Sequence, residues 1–209
     1  MIRGRSARAT GLLIQLSSQP EICGLPGRIH PSSFTLKAIY SENEAPINVN
    51  PQKLIVHPKF DEQWWPSYDI GLIKTSQNGS FNSDFTLETD LQNIFGEISM
   101  FGAGRSNPKG KNYERTNGEN SYFRVGSVLF FIGTSKIIDG SSGDATSAPP
   151  NDSGGPVLDK KTGKVIGVIT TTTLSQSVDY GIPTLSTATS ILSTPTRDFI
   201  LKHLGPYEN

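Results

Sequence analysis

Apolar residues along this chain come in short bursts separated by Gly, Pro, Asn and Ser. Gly11–Leu16 (GLLIQL) is the first burst and predicts a strand. Over Phe34–Tyr40 (FTLKAIY), Phe34, Leu36, Ala38 and Tyr40 share one face at a period of two, the pattern of a half-buried strand. Lys53–Val56 (KLIV) and Ile70–Ile73 (IGLI) predict two more. Ile98–Phe101 (ISMF) runs into Gly102-Ala103-Gly104, a sharp backbone break. Tyr122–Ile132 (YFRVGSVLFFI) and Lys164–Thr173 (KVIGVITTTT) are rich in β-branched and aromatic residues, as buried strands are. Thr194–Leu204 (TPTRDFILKHL) reads as helix: Thr194 can cap, Pro195 suits the first turn, and Ile200 and Leu204 share a face beside Phe199. The pattern predicts an all-β body with one C-terminal helix, and a division into two halves near residues 90–98.

Composition narrows the partners. Lys plus Arg and Asp plus Glu each number 19, so the formal net charge is zero. No field attracts nucleic acid or an anionic membrane, and a monomer is expected. Apolar residues are 34% of the chain, with 21 Gly and 14 Pro, a mix that suits many short strands joined by turns. The one cysteine, Cys23, cannot form an internal disulfide and reads as a small buried apolar residue. No His, Asp, Glu and Cys cluster has metal-ligand spacing, so neither metal nor cofactor is expected. The N-terminal stretch MIRGRSARATGLLIQLSSQ is basic and then briefly apolar, with an apolar core shorter than that of a signal peptide. No export signal is visible, and no run approaches transmembrane length.

Chemistry concentrates at residues 151–156, Asn-Asp-Ser-Gly-Gly-Pro. A nucleophilic serine needs an exposed hydroxyl on a tight turn, with backbone N–H groups facing the reacting carbonyl. Two glycines after Ser153 let a substrate backbone approach, and Pro156 returns the chain to an extended strand that starts at Val157-Leu158. Taken alone, the segment is equally an ordinary turn.

Its flanks favour the first reading. NDSGGP, followed by Gly163–Ile169 (GKVIGVI), resembles the nucleophile segment of the trypsin-like serine endopeptidases. His57-Pro58-Lys59-Phe60 is similar to that family's HPxF/Y segment. Tyr68-Asp69-Ile70-Gly71-Leu72-Ile73 is similar to its DIALL segment, and Phe101-Gly102-Ala103-Gly104-Arg105 to its GWGR segment. Arg197-Asp198-Phe199-Ile200 sits where the family ends in a helix. The resemblance spans roughly residues 34–204, with the acid ahead of the serine in the family's order.

The resemblance implies two antiparallel β-barrels with a cleft between them, over 1–95 and 96–193, and a helix over 194–204. It makes Ser153 the nucleophile and Asp69 the buried acid that fixes the imidazole tautomer. The backbone N–H groups of Ser153 and Asn151 would form the oxyanion hole, and Ser147, Thr170 and Thr172 would line a neutral specificity pocket. It implies hydrolysis of polypeptides and a secreted or periplasmic protein.

The family's general base lies in a TAAHC segment, and no such segment is found. Of the three histidines, His57 belongs to the HP motif and His203 to the terminal helix. His30 remains, in Pro26-Gly27-Arg28-Ile29-His30-Pro31, as either the base or an ordinary loop histidine. When Ile22-Cys23-Gly24 is matched to the family's earlier xCGG segment, too few residues separate Gly24 from Phe34 for both a strand and the histidine turn. The first barrel is therefore expected to be incomplete. Two functions follow: a serine endopeptidase, or an inactive homologue that binds peptides or a protein partner through the retained cleft.

Overall fold

The sequence bursts become strands wherever alternate residues can reach a core, and the capped C-terminal segment becomes helix. A computed structural model describes residues 11–14, 36–38, 47–49, 51–60, 67–75, 86–88, 94–102, 116–134, 153–172 and 183–204. The strands are β1 (Gly11–Ile14), β2 (Leu36–Ala38), β3 (Ile47–Val49), β4 (Pro51–Val56), β5 (Gly71–Thr75), β6 (Phe95–Gly102), β7 (Thr116–Val125), β8 (Val128–Thr134), β9 (Pro156–Asp159), β10 (Val165–Thr172) and β11 (Pro183–Ser190). The helix α1 spans Thr194–Leu204, as the sequence predicts.

Strands β6 to β11 close into a six-stranded antiparallel barrel in the order β10-β11-β8-β7-β6-β9. Along β6, Ile98 and Met100 point inward and are buried while Phe95 and Glu97 are exposed, the alternation a closed sheet requires. The barrel interior packs Ile98, Met100, Leu129, Phe131, Val157, Ile166, Ile169 and Leu192 around Ala188. Closure removes the free edges that would template pairing with another chain.

The run Tyr122–Ile132 is two strands rather than one. Gly126 and Ser127 form a tight turn, and Val125 pairs directly with Val128. Gly-Ser inside an apolar run is hairpin punctuation, and it outweighs the surrounding strand propensity. Two strands carry no hydrophobic burst: β3 and β11. The latter reads Pro-Thr-Leu-Ser-Thr-Ala-Thr-Ser, yet Ser186 to Ser190 are all buried.

The first half contributes, among the described residues, a three-stranded sheet β1-β5-β4 and a separate pair β2-β3. A second apolar cluster joins this half to the barrel and the helix. Ile70 and Leu72 pack with Leu158, Val165, Val168 and Ile191 of the barrel side and with Phe199 and Ile200 of α1. Each fully buried aliphatic side chain of this kind contributes about 1.5–3 kcal/mol relative to exposure. Because β10 feeds both clusters, its sequence is apolar without alternation.

The cap lies one residue before the predicted one, with the helix itself beginning at Thr194. The carbonyl of Ser193 accepts the first intrahelical bond, from the Arg197 N–H at 2.9 Å, and the Ser193 hydroxyl donates to Thr196 Oγ1 at 2.8 Å. Ser193 is thus the N-cap, and Lys202 and His203 meet the negative end of the helix dipole.

Candidate active site

The turn carrying Ser153 is strapped to β10 by main-chain bonds on both sides. The Gly154 N–H donates to Ile169 O at 2.9 Å, and the Ile169 N–H donates to Gly155 O at 2.9 Å. Gly154 has φ 89°, a left-handed conformation that a side chain would strain. This geometry is why glycine follows the serine at 154. It leaves Ser153 exposed on a turn whose backbone is immobilised. The Ser153 hydroxyl donates to the carbonyl of Thr170 at 3.3 Å.

Thr170 lies where β10 breaks register. Ile169 pairs with Ala188 and Thr171 with Thr187, so Thr170 is the extra residue of a β-bulge. Bulges re-aim groups locally, and here the carbonyl of Thr170 turns toward Ser153. The buried hydroxyl of Thr170 donates to Thr187 O at 3.0 Å and lies 2.9 Å from Thr187 Oγ1.

Asp69 belongs to the other half and is fully buried. Its backbone forms a tight turn: the Ile70 N–H donates to Tyr68 O at 2.8 Å across Asp69, and Tyr68 has φ 59°. A non-glycine residue in the left-handed region stores about 1–3 kcal/mol, which the surroundings must offset. They do so at three points. The Tyr68 ring stacks on His57 at 4.9 Å. The His57 N–H donates to Ile70 O at 3.1 Å. The Thr189 hydroxyl of β11 donates to the carbonyl of Asp69 at 3.1 Å.

His57 is committed to structure. Its Nδ1 accepts the Lys59 N–H at 3.1 Å, so Nε2 carries the proton and donates to the carbonyl of Pro195 in α1 at 3.2 Å. The ring also meets Phe199 at 4.8 Å. Burial holds its pKa below the usual imidazole value, against the raising effect of the Pro195 bond, with Lys59 adding to the depression. This is the structural role expected of the HP motif. His203 sits edge-on to Phe199 at 5.2 Å, exposed, and its pKa is lowered by partial burial and by Lys202 and Lys53.

Ser153 and Asp69 are therefore attached to neighbouring strands of one ladder, the serine through Thr170 of β10 and the acid through Thr189 of β11. His30, Asn151 and Ser147 lie outside the described residues, and Thr172 is described only as backbone of β10. Thr187 and Thr189, which bond at these two points, do not stand out in the sequence because their strand has no apolar burst. Its threonines, favourable in strands through β-branching, were the available signal. Among the described residues no group of three or more His, Cys, Asp or Glu could hold a metal ion. Nor, among them, is any helix long and apolar enough to cross a membrane.

A family model described as Trypsin matches residues 31–191. No curated protein matches the chain.

Proposed function

Since the chain belongs to the trypsin family of serine proteases, we propose that it hydrolyses peptide bonds through an acyl-enzyme formed on Ser153. The observation that carries this reading is the exposed Ser153 hydroxyl on a turn bonded to β10 from both sides. A fixed, accessible nucleophile costs little reorganisation when a substrate carbonyl arrives. Ser153 Oγ attacks the carbonyl carbon and its proton passes to a histidine, for which His30 is the candidate. The protonated base then gives that proton to the departing amine. Water repeats the sequence in reverse and frees the acid. Asp69 orients the imidazole and stabilises it when charged. The N–H groups of Ser153 and Asn151 receive the developing oxyanion. Ser147 and Thr172 as pocket residues favour a neutral side chain ahead of the scissile bond, while Thr170, its side chain buried and bonded to Thr187, acts through the carbonyl that accepts the Ser153 hydroxyl. The substrate is a polypeptide, on which this family acts, and secretion, common among its members, is the expected location.

A second reading has its own support. The Ser153 proton is donated to a main-chain carbonyl, and His57, the histidine packed beside the Asp69 turn, is already bonded at both ring nitrogens. A cleft kept without a base would bind peptides and not cut them. Fluorophosphonate labelling separates the two. The hydrolytic reading expects labelling that Ser153→Ala abolishes and that His30→Ala slows by up to about 10⁶-fold, the cost of removing a triad base. Folded protein that resists labelling favours the binding reading.

A further inference from the structure

Strand β11 touches both halves of the candidate site through alternate residues. Thr187 and Thr189 are two apart, so they share a face of the strand about 7 Å apart along it. Both are buried, at 4% and 0% exposure. The Thr187 hydroxyl lies 2.9 Å from Thr170 Oγ1, and the Thr170 carbonyl accepts the Ser153 hydroxyl. The Thr189 hydroxyl donates to the carbonyl of Asp69, a residue from the other half of the chain. Thr187 and Thr189 are alternate residues of one strand, and each bonds at a point tied to one functional side chain.

We propose that Thr187 and Thr189 are positioning residues that set Ser153 in register with Asp69 across the junction of the two halves. Thr187 acts on the serine side: it holds the bulged Thr170, whose carbonyl fixes the rotamer of Ser153. Thr189 acts on the acid side: it holds the turn centred on Asp69, where Tyr68 is strained and needs outside support. Buried hydroxyls suit this role because each can donate one directed bond to a buried oxygen, which loses that donor when the hydroxyl is removed. The inference rests on Ser153 as nucleophile for its kinetic consequence, while the placement of Asp69 can be read without turnover.

The test uses the full chain with Thr187→Val and Thr189→Val, which remove the hydroxyl and keep the shape, and Thr187→Ser and Thr189→Ser, which restore the hydroxyl. The two readouts are the rate of fluorophosphonate labelling at Ser153 and the ¹³C chemical shift of the Asp69 carboxyl at one fixed pH. Each valine variant is expected to label about tenfold to a hundredfold more slowly, the cost of displacing a reacting group by an ångström. Each serine variant is expected to recover most of the rate. Thr189→Val should also move the Asp69 carboxyl shift, with Thr189→Ser returning it, whereas Thr187→Val should leave it in place. Valine variants that label at the parental rate, or serine variants that recover nothing, overturn the proposal. If the parent protein does not label at all, the hydrolytic reading falls by itself. The Asp69 carboxyl shift then decides: movement in Thr189→Val reversed in Thr189→Ser supports positioning, and no movement refutes it.

Discussion

The serine-bearing barrel and the acid-bearing half solve the same problem in different ways. The barrel is closed, so every one of its six strands has two partners and its core is its own. The acid-bearing half shows, among the described residues, a three-stranded sheet and a two-stranded pair, and the buried apolar cluster around Asp69 is shared with the barrel and α1. Ser153 is held by β10 of the same barrel. Asp69 is held by bonds from Thr189 and by the clasp of His57 on Pro195. A site assembled this way depends on the barrel for its rigidity and on docking for its registration.

The contrast can be broken most forcefully at the barrel core. Phe131→Ala removes a buried ring at 1% exposure and should cost about 3–5 kcal/mol, read as a drop in the urea midpoint of the whole protein. A smaller, more local effect is expected at the serine turn. Gly154→Ala forces a side chain into a left-handed conformation at a cost of about 1–2 kcal/mol, and labelling of Ser153 should fall further than stability does. If stability and labelling fall together, the turn is not held separately from the barrel.

Acid should loosen the docked half. The folded-state pKa of His57 lies below the usual imidazole value of about 6.5 because of burial. Its stabilising contribution is then fully present above that value. It is lost as pH falls from there toward the folded-state pKa, since the unfolded chain binds the proton more readily. Protonation also forbids Nδ1 from accepting the Lys59 N–H. Urea midpoints measured between pH 7.5 and 5 should fall in the parent and flatten in His57→Asn. A parent curve identical to that of the variant would remove the clasp from the account. The smallest effect belongs to the barrel surface. Lys160 pairs with Glu119 at 2.7 Å in the open, and Lys160→Ala should shift the urea midpoint by no measurable amount in moderate salt.

Much of this was legible in the chain because its signals are local. NDSGGP encodes a turn that favours glycine at 154, and the capped helix and the β-branched runs are set by propensity and period. The hairpin at Gly126-Ser127 was written there too, as punctuation inside an apolar run. What the chain could not reveal is β11, a strand of threonine and serine buried among polar partners. Its burial depends on what packs against it, not on its own hydropathy. Nor could spacing show that Thr189 reaches the carbonyl of Asp69 from the far end of the sequence, since a directed bond between residues so distant exists only once both halves are folded. Sequence determined which groups could do chemistry; tertiary structure decided which hydroxyls hold them, because hydrogen bonds are short and directional while apolar patterning is neither.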